Sequence, residues 1–268
     1  MMIPALGFGT YRLTGNVAQQ SVAAALRAGY RHIDTAQIYG NEREVGRAIA
    51  ASGVPRDELF VTTKVWVDHY EPDALLLSLE ESLDRLQLDS VDLVLIHWPA
   101  PDNPVPMDAY LPALLEARGQ CMTQHVGVSN FSIADLKQAL KLVGEGSLLT
   151  NQVEVHPYLQ NRALVDFCRA EGIRVTAYLP LAYGKVNQDP VLQAIAARHG
   201  VSAAQVSLAW LLQRGLLVIP SSTQATHIRD NLAAARVVLT DDDMAAIAAL
   251  DRNERLIDPA ELAPRQWD

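Results

Sequence analysis

Leu59-Phe-Val-Thr-Thr-Lys64, a β-branched and aliphatic run closed by a lysine, precedes the Leu-rich stretch 73–86 and a second such run, Val91-Asp-Leu-Val-Leu-Ile-His97. The short runs have strand length. The stretch between them repeats its apolar residues at intervals of three and four (Leu75, Leu79, Leu83, Leu86), as one face of a helix does. This strand–helix–strand unit recurs in both directions. Residues 3–9, 30–33, 124–128, 150–155, 174–178 and 216–220 read as further strands. Segments 17–28, 42–52, 107–118, 133–143, 162–171, 190–199, 203–214 and 241–250 read as helices. Gly29, Gly53, Gly144, Gly172, Gly200 and Gly215 stand just past helices, where a left-handed terminator is expected, and Asp73, Ser132 and Asp189 stand as N-caps. Eight strands, each followed by helix, are the arithmetic of an α/β protein of the (β/α)8 TIM-barrel type, about 250 residues long. A doubly wound sheet would want a full Gly-x-Gly-x-x-Gly after its first strand, and Gly7-Phe-Gly9-Thr-Tyr-Arg12 lacks the third glycine.

No linker or low-complexity stretch interrupts the chain, so residues 1–268 read as a single barrel domain with short loops. With 31 Asp and Glu against 22 Lys and Arg, the net charge is −9, which argues against partners such as nucleic acid or an anionic membrane surface. No window approaches the roughly 20 apolar residues of a membrane span, and the opening MMIPALGFGT has no basic leader region. Cys121 and Cys168 stand alone, so neither a disulfide scaffold nor a metal site is expected. A cytoplasmic enzyme is the expectation.

In a barrel the chemistry sits at the C-terminal ends of the strands. Asp34 follows Tyr30-Arg-His-Ile33, with Tyr39 in the next loop; Lys64 and His97 end their strands; Ser129 and Asn130 close Val126-Gly-Val128. The chain has four lysines, Lys64, Lys137, Lys141 and Lys185, and Lys64 alone lies where an apolar strand would deliver it to a barrel mouth. Any one polar strand end is ordinarily just a satisfied cap. Four on successive strands suit proton donation to a carbonyl. A phenol is a poor acid at neutral pH unless its phenolate is stabilised, which a nearby ammonium does, and a carboxylate keeps that ammonium charged. Tyr39, Lys64 and Asp34 supply these roles, and His97 can orient the substrate oxygen.

These residues resemble the aldo-keto reductase superfamily. Gly29-Tyr-Arg-His-Ile-Asp34-Thr-Ala-Gln-Ile-Tyr39-Gly-Asn-Glu42-Arg-Glu-Val-Gly46 fits its first signature. Lys64-Val-Trp66, His97-Trp98-Pro99, Gly127-Val-Ser-Asn-Phe131, Asn151-Gln-Val-Glu-Val-His-Pro-Tyr-Leu159 and Ile219-Pro-Ser-Ser222 follow in order. The resemblance implies a monomeric barrel that binds NADP(H) and reduces aldehydes and ketones, with Tyr39 as proton donor. It also implies that Ser129, Asn130 and Gln152 hold the nicotinamide carboxamide, that Tyr178 stacks on the ring, and that Thr10 and Leu181 contact the cofactor. Tyr11, Trp66, Trp98 and Trp267 would line the substrate pocket.

The chain departs from the family pattern at the cofactor's 2′-phosphate. The usual lysine after strand eight is Ser221, and the arginine six residues beyond is His227. Ser221, Ser222 and Thr223 offer hydroxyls, the next helix offers its N-terminus, and Asn231 matches the adenine-contacting asparagine. NADP(H) is still expected, with a weaker preference over NAD(H). Leu179 replaces the serine that follows the stacking tyrosine. The sequence starts almost at its first strand, so no N-terminal hairpin is expected. The short proline-rich loop 99–106 suits small polar carbonyls such as methylglyoxal or 2,5-diketo-D-gluconate. Two other classes compete: a Schiff-base aldolase using Lys64, and a cofactor-binding subunit without turnover.

Overall fold

The computed structural model describes residues 3–268. Eight parallel strands neighbour one another in chain order: β1 (Phe8–Gly9), β2 (His32–Asp34), β3 (Phe60–Val65), β4 (Val91–Ile96), β5 (Thr123–Ser129), β6 (Leu148–Glu154), β7 (Arg174–Tyr178) and β8 (Leu217–Val218). The ring closes where Leu6 bridges Val218 and the Gly7 and Gly9 amides donate to the Val218 and Pro220 carbonyls. Helices α1 (Gly15–Ala28), α2 (Glu42–Ala50), α3 (Pro72–Leu86), α4 (Met107–Gly119), α5 (Ile133–Val143), α6 (Arg162–Ala170), α7 (Pro190–His199), α8 (Ala203–Gln213), α9 (Ala225–Ala233) and α10 (Asp241–Ala248) surround it.

The first and last strands are shorter than their apolar runs suggested. Pro4 and Pro220 have no N–H for a ladder, so pairing there falls to single bonds. Asp73 is not the N-cap of α3: Pro72 takes the first helical position, and Asp73 lies in the first turn, where its charge suits the helix dipole. Ser132 and Asp189 do cap α5 and α7 through their side chains. Gly144 ends α5 with φ 83° and ψ 157°, outside the left-handed helical region, because the chain turns at once into the 145–147 loop.

Two glycines of the incomplete Gly-x-Gly have a packing reason rather than a phosphate-binding one. A Cβ on Gly7 would lie 2.4 Å from His32 Nδ1, and one on Gly9 would lie 2.8 Å from the Ile219 carbonyl oxygen. The two-residue strand period divides the interior. Ile33, Val61, Val94, Ile96 and Val126 join the main apolar cluster with the helices, while Ile3, Phe60, Leu93, Leu95 and Leu217 form a smaller cluster that fills the barrel bottom. Above that plug sit the polar residues.

His32 lies within this interior, its Nε2 3.2 Å from Thr62 Oγ1 and its Nδ1 without a partner. Burial pushes its pKa down to about 4. The unfolded chain therefore binds a proton near pH 6.5 that the fold refuses until about pH 4. Stability from this residue is complete above pH 6.5 and is expected to fall by about 3 kcal/mol as pH drops across that window. Urea titrations at pH 7 and pH 4.5 should show the loss, and His32→Gln should flatten it.

Candidate active site

Loops at the strand C-termini surround a cavity of about 900 Å3, within the range of ligand sites. Lys64 is sealed beneath its floor, with no exposed surface. Its Nζ donates to Asp34 Oδ1 at 2.5 Å, to the Thr35 carbonyl at 2.9 Å and to the Tyr39 hydroxyl at 3.4 Å. Burial lowers the Lys64 pKa, and the Asp34 carboxylate opposes that shift. Asp34 Oδ2 accepts from Gln152 Nε2 at 2.7 Å, so both carboxylate oxygens are engaged. Thr10 does not reach the cavity; its Oγ1 donates to the Asp34 carbonyl at 3.0 Å and steadies that residue from below.

Tyr39 and His97 face the cavity edge to face, with ring centroids 5.7 Å apart. The resting Tyr39 differs from the expectation of a phenol made more acidic by its ammonium. Burial, reinforced by Asp34, holds its pKa well above 10, so it is a firmly protonated donor. Burial and Lys64 hold His97 well below the ordinary histidine value, so its ring is neutral. His97 Nδ1 is buried without a partner, which leaves Nε2 as the nitrogen that can meet a ligand.

Ser129, Asn130, Gln152 and Tyr178 share one side of the cavity. Asn130 Oδ1 accepts from the Tyr178 hydroxyl at 2.8 Å, which fixes the ring, while its Nδ2 donates to the His97 carbonyl and to Ser129 Oγ. Ser129 Oγ donates to the Gln152 carbonyl. Leu179, Leu181, Ser221, Ser222 and Thr223 line the same cavity. His227 is exposed in the first turn of α9, and Asn231 is buried one turn further on. Tyr11, Trp66 and Trp98 are wall residues. Trp267 is not: its Nε1 donates to Asp258 at 2.8 Å, and Asp258 takes the place at the wall.

Several contributors escaped the sequence reading. Gln37 connects through five hydrogen bonds: Nε2 donates to Ser78 and Ser82 of α3, while Oε1 meets the Trp66 amide and His69 Nδ1. It therefore positions the Tyr39 turn and the Trp66 wall together. Asn41 ties the same turn to Thr35 and to the Thr10 and Leu13 carbonyls. Arg12, the one Arg or Lys lining the cavity among the described residues, lies over the rings of Tyr11 and Tyr183 at 5.2 and 4.5 Å. Its place beside Tyr11 at the end of β1 was the available signal. Residues 256–262 form a further wall and carry no periodic pattern that could have announced it.

A profile of the aldo/keto reductase family matches residues 5–252. The chain belongs to the aldo/keto reductase family. Methylglyoxal reductase DkgB of Yersinia pestis is 51% identical over 268 residues, the full length of both chains. Glyoxal reductase of Bacillus subtilis is 42% identical and matches 95% of this chain and 91% of its own. A crystal structure provisionally described as 2,5-diketo-D-gluconic acid reductase B superposes with a TM-score of 0.95 at 45% identity, covering 99% of this chain and 94% of the other.

As an aldo/keto reductase, the chain is an oxidoreductase acting on carbonyls with a nicotinamide cofactor. A Schiff-base lysine does not suit this site. Such a lysine must be neutral and reach substrate, whereas Lys64 is held by a carboxylate beneath the cavity floor. Among the described residues no helix is long and apolar enough to cross a membrane, and no cluster of three metal-ligating side chains occurs.

Proposed function

We propose that this protein reduces small aldehydes and ketones to alcohols with NADPH, or less efficiently NADH, using Tyr39 as the proton donor. The observation that carries the reading is the chain Asp34–Lys64–Tyr39, which opens on a cavity beside a neutral His97. The residues fit the cofactor. Gln152 keeps Oε1 free of protein donors while its Nε2 is committed to Asp34, and Tyr178 presents a ring fixed by Asn130. Arg12, which has no carboxylate partner among the described residues, could supply a cation for phosphate, and the 221–223 hydroxyls line the same cavity.

When bound, the reduced nicotinamide supplies a hydride to the carbonyl carbon. Tyr39 donates its proton to the carbonyl oxygen, which His97 Nε2–H holds in place. As the phenolate forms, Lys64 donates into it, and Asp34 keeps the ammonium charged. The site is complete within one chain, which supports a monomer, and a cytoplasmic place for the enzyme belongs to the same reading.

Consumption of reduced nicotinamide with methylglyoxal, glyoxal and aromatic aldehydes, with alcohol formed mole for mole, tests the reading; no carbonyl-dependent turnover with either cofactor overturns it. The preference in kcat/KM for NADPH over NADH should lie below about 10^3-fold, or about 4 kcal/mol, because hydroxyls and His227 replace a lysine and an arginine. His227→Arg should widen it, because a permanent cation would then face the 2′-phosphate.

A further inference from the structure

After α10 the chain has no regular helix or strand, yet Leu256, Ile257, Asp258, Pro259 and Leu262 wall the cavity. Such a segment cannot satisfy its backbone internally, so its partners decide where it lies. For residues 252–257 those partners come largely from one stretch, residues 154–161, at the end of β6. The Arg252 and Glu254 amides donate to the Tyr158 carbonyl at 3.2 and 3.0 Å, and the Arg252 guanidinium lies 4.0 Å from the Tyr158 ring centroid. Arg255 donates to Asn161 Oδ1, and Asn161 Nδ2 donates to the Glu154 carbonyl. The Leu256 and Ile257 amides donate to Oε1 and Oε2 of the Glu154 carboxylate, at 2.8 and 2.9 Å.

Glu154 is fully buried, and a carboxylate is the group these donors require. Two successive amides aimed at one group form a small anion-binding concavity. A side-chain amide in the same place would accept at its oxygen but set its NH2 against the second N–H. A third donor completes the set. His156 Nε2 lies 2.8 Å from Oε1, and because the Tyr158 amide donates to His156 Nδ1 at 3.3 Å, the ring proton falls to Nε2. The buried charge is thus held by three donors, two of them on the segment it anchors. Further along, the Leu262 carbonyl accepts from the Ala100 amide at 3.1 Å, while the Arg265–Asp102 pair and the bond from the Ile133 amide to Asp268 lie at the surface. Glu154 itself does not line the cavity.

We propose that Glu154 is a positioning residue for substrate: its carboxylate fixes the 256–262 wall, and through that wall it sets how tightly carbonyl compounds long enough to reach it are held. The assignment rests on the reductase reading above. Glu154 makes no bond to Asp34, Lys64 or Tyr39, so its loss should leave proton transfer intact and loosen what leans on the wall. The effect is therefore graded by substrate size. Methylglyoxal, reacting between Tyr39 and His97, has little left to extend toward residues 256–262. An aromatic aldehyde with an apolar para substituent does reach, and Leu256, Ile257, Pro259 and Leu262 offer it apolar surface. Glu154 also pairs with Tyr178 in the strand ladder, so cofactor affinity is the control.

The test reads Glu154→Gln by hydrogen exchange and by kinetics on the full chain. Exchange in peptides covering residues 254–262 should quicken by about tenfold or more, with the protection of β3, β4 and β5 unchanged. KM for para-isopropylbenzaldehyde should rise about tenfold and that for methylglyoxal by less than about threefold, with kcat for both and affinity for NADPH within about threefold of wild type. Glu154→Asp keeps the charge on a shorter arm. It should show the same pattern at smaller amplitude, and it carries the comparison if Glu154→Gln fails to fold. Unchanged exchange overturns the assignment, as does a faster-exchanging segment with both KM values unmoved. Equal rises in both KM values, or protection lost across the barrel, would mean a general structural role and overturn it too. If wild type reduces neither aldehyde, the reductase reading falls, and binding of para-isopropylbenzyl alcohol, read by tryptophan fluorescence, decides the anchor. Binding about tenfold weaker in Glu154→Gln, with faster exchange, leaves the anchor standing; unchanged binding sinks it.

Discussion

Replacing Tyr39 with phenylalanine is expected to lower kcat for aldehyde reduction by about 10^2- to 10^4-fold, the usual worth of a positioned general acid. The ring should stay where it is. It packs against Tyr11 at 5.2 Å and His97 at 5.7 Å, and Lys64 Nζ lies 5.0 Å from its centroid, contacts a phenyl group retains. What is lost is the hydroxyl above Lys64. Cofactor affinity, read by quenching of protein fluorescence, should change by less than about threefold, because the variant removes an interaction made in the transition state. Wild-type reduction should show no loss of the donor across the neutral range, since burial keeps Tyr39 protonated well past the ordinary tyrosine value. A variant within tenfold of wild type would mean that His97 or water delivers the proton.

The fold and the meeting of Asp34, Lys64 and Tyr39 were legible because both depend on local pattern. A two-residue period sends Asp34 and Lys64 inward while Ile33 and Val65 pack outward, and strand ends deliver them to a common mouth. What was not legible depends on bonds between distant segments. Gln37 earns its role by reaching Ser78 and Ser82, which no spacing around residue 37 reveals. Trp267 was expected on the pocket wall because the family resemblance implies it there. Its place is decided by Asp258 and Arg255, in a segment whose amides are held by a strand-end carboxylate instead of by its own helix. The Tyr39 shift shows a related effect: residue types suggested a phenol made more acidic by the ammonium, but in the packed structure burial and the Asp34 charge raise its resting pKa.

The second large effect is expected at the buried pair, and it separates stability from chemistry. Lys64 and Asp34 are 0% and 2% exposed, so Lys64→Met leaves a carboxylate in the barrel interior with one remaining side-chain donor, Gln152 Nε2. Breaking such a pair from one side costs about 3–5 kcal/mol, and that remaining donor places this case toward the lower end. A denaturant midpoint well below that of wild type is the expected result, with kcat reduced by at least about 10^2-fold. Adding Asp34→Asn removes the orphaned charge while keeping an oxygen for Gln152 Nε2. The double variant should therefore regain most of the lost stability, since replacing both members of a buried ion pair by neutral groups is often close to neutral. It should regain no activity, because no ammonium is left to donate toward the phenolate. If the double variant unfolds as readily as Lys64→Met alone, the cost lies in the packing of the methionine and not in an uncompensated Asp34. If it recovers turnover as well, Tyr39 needs no cation beneath it and the proton-transfer chain described here is wrong.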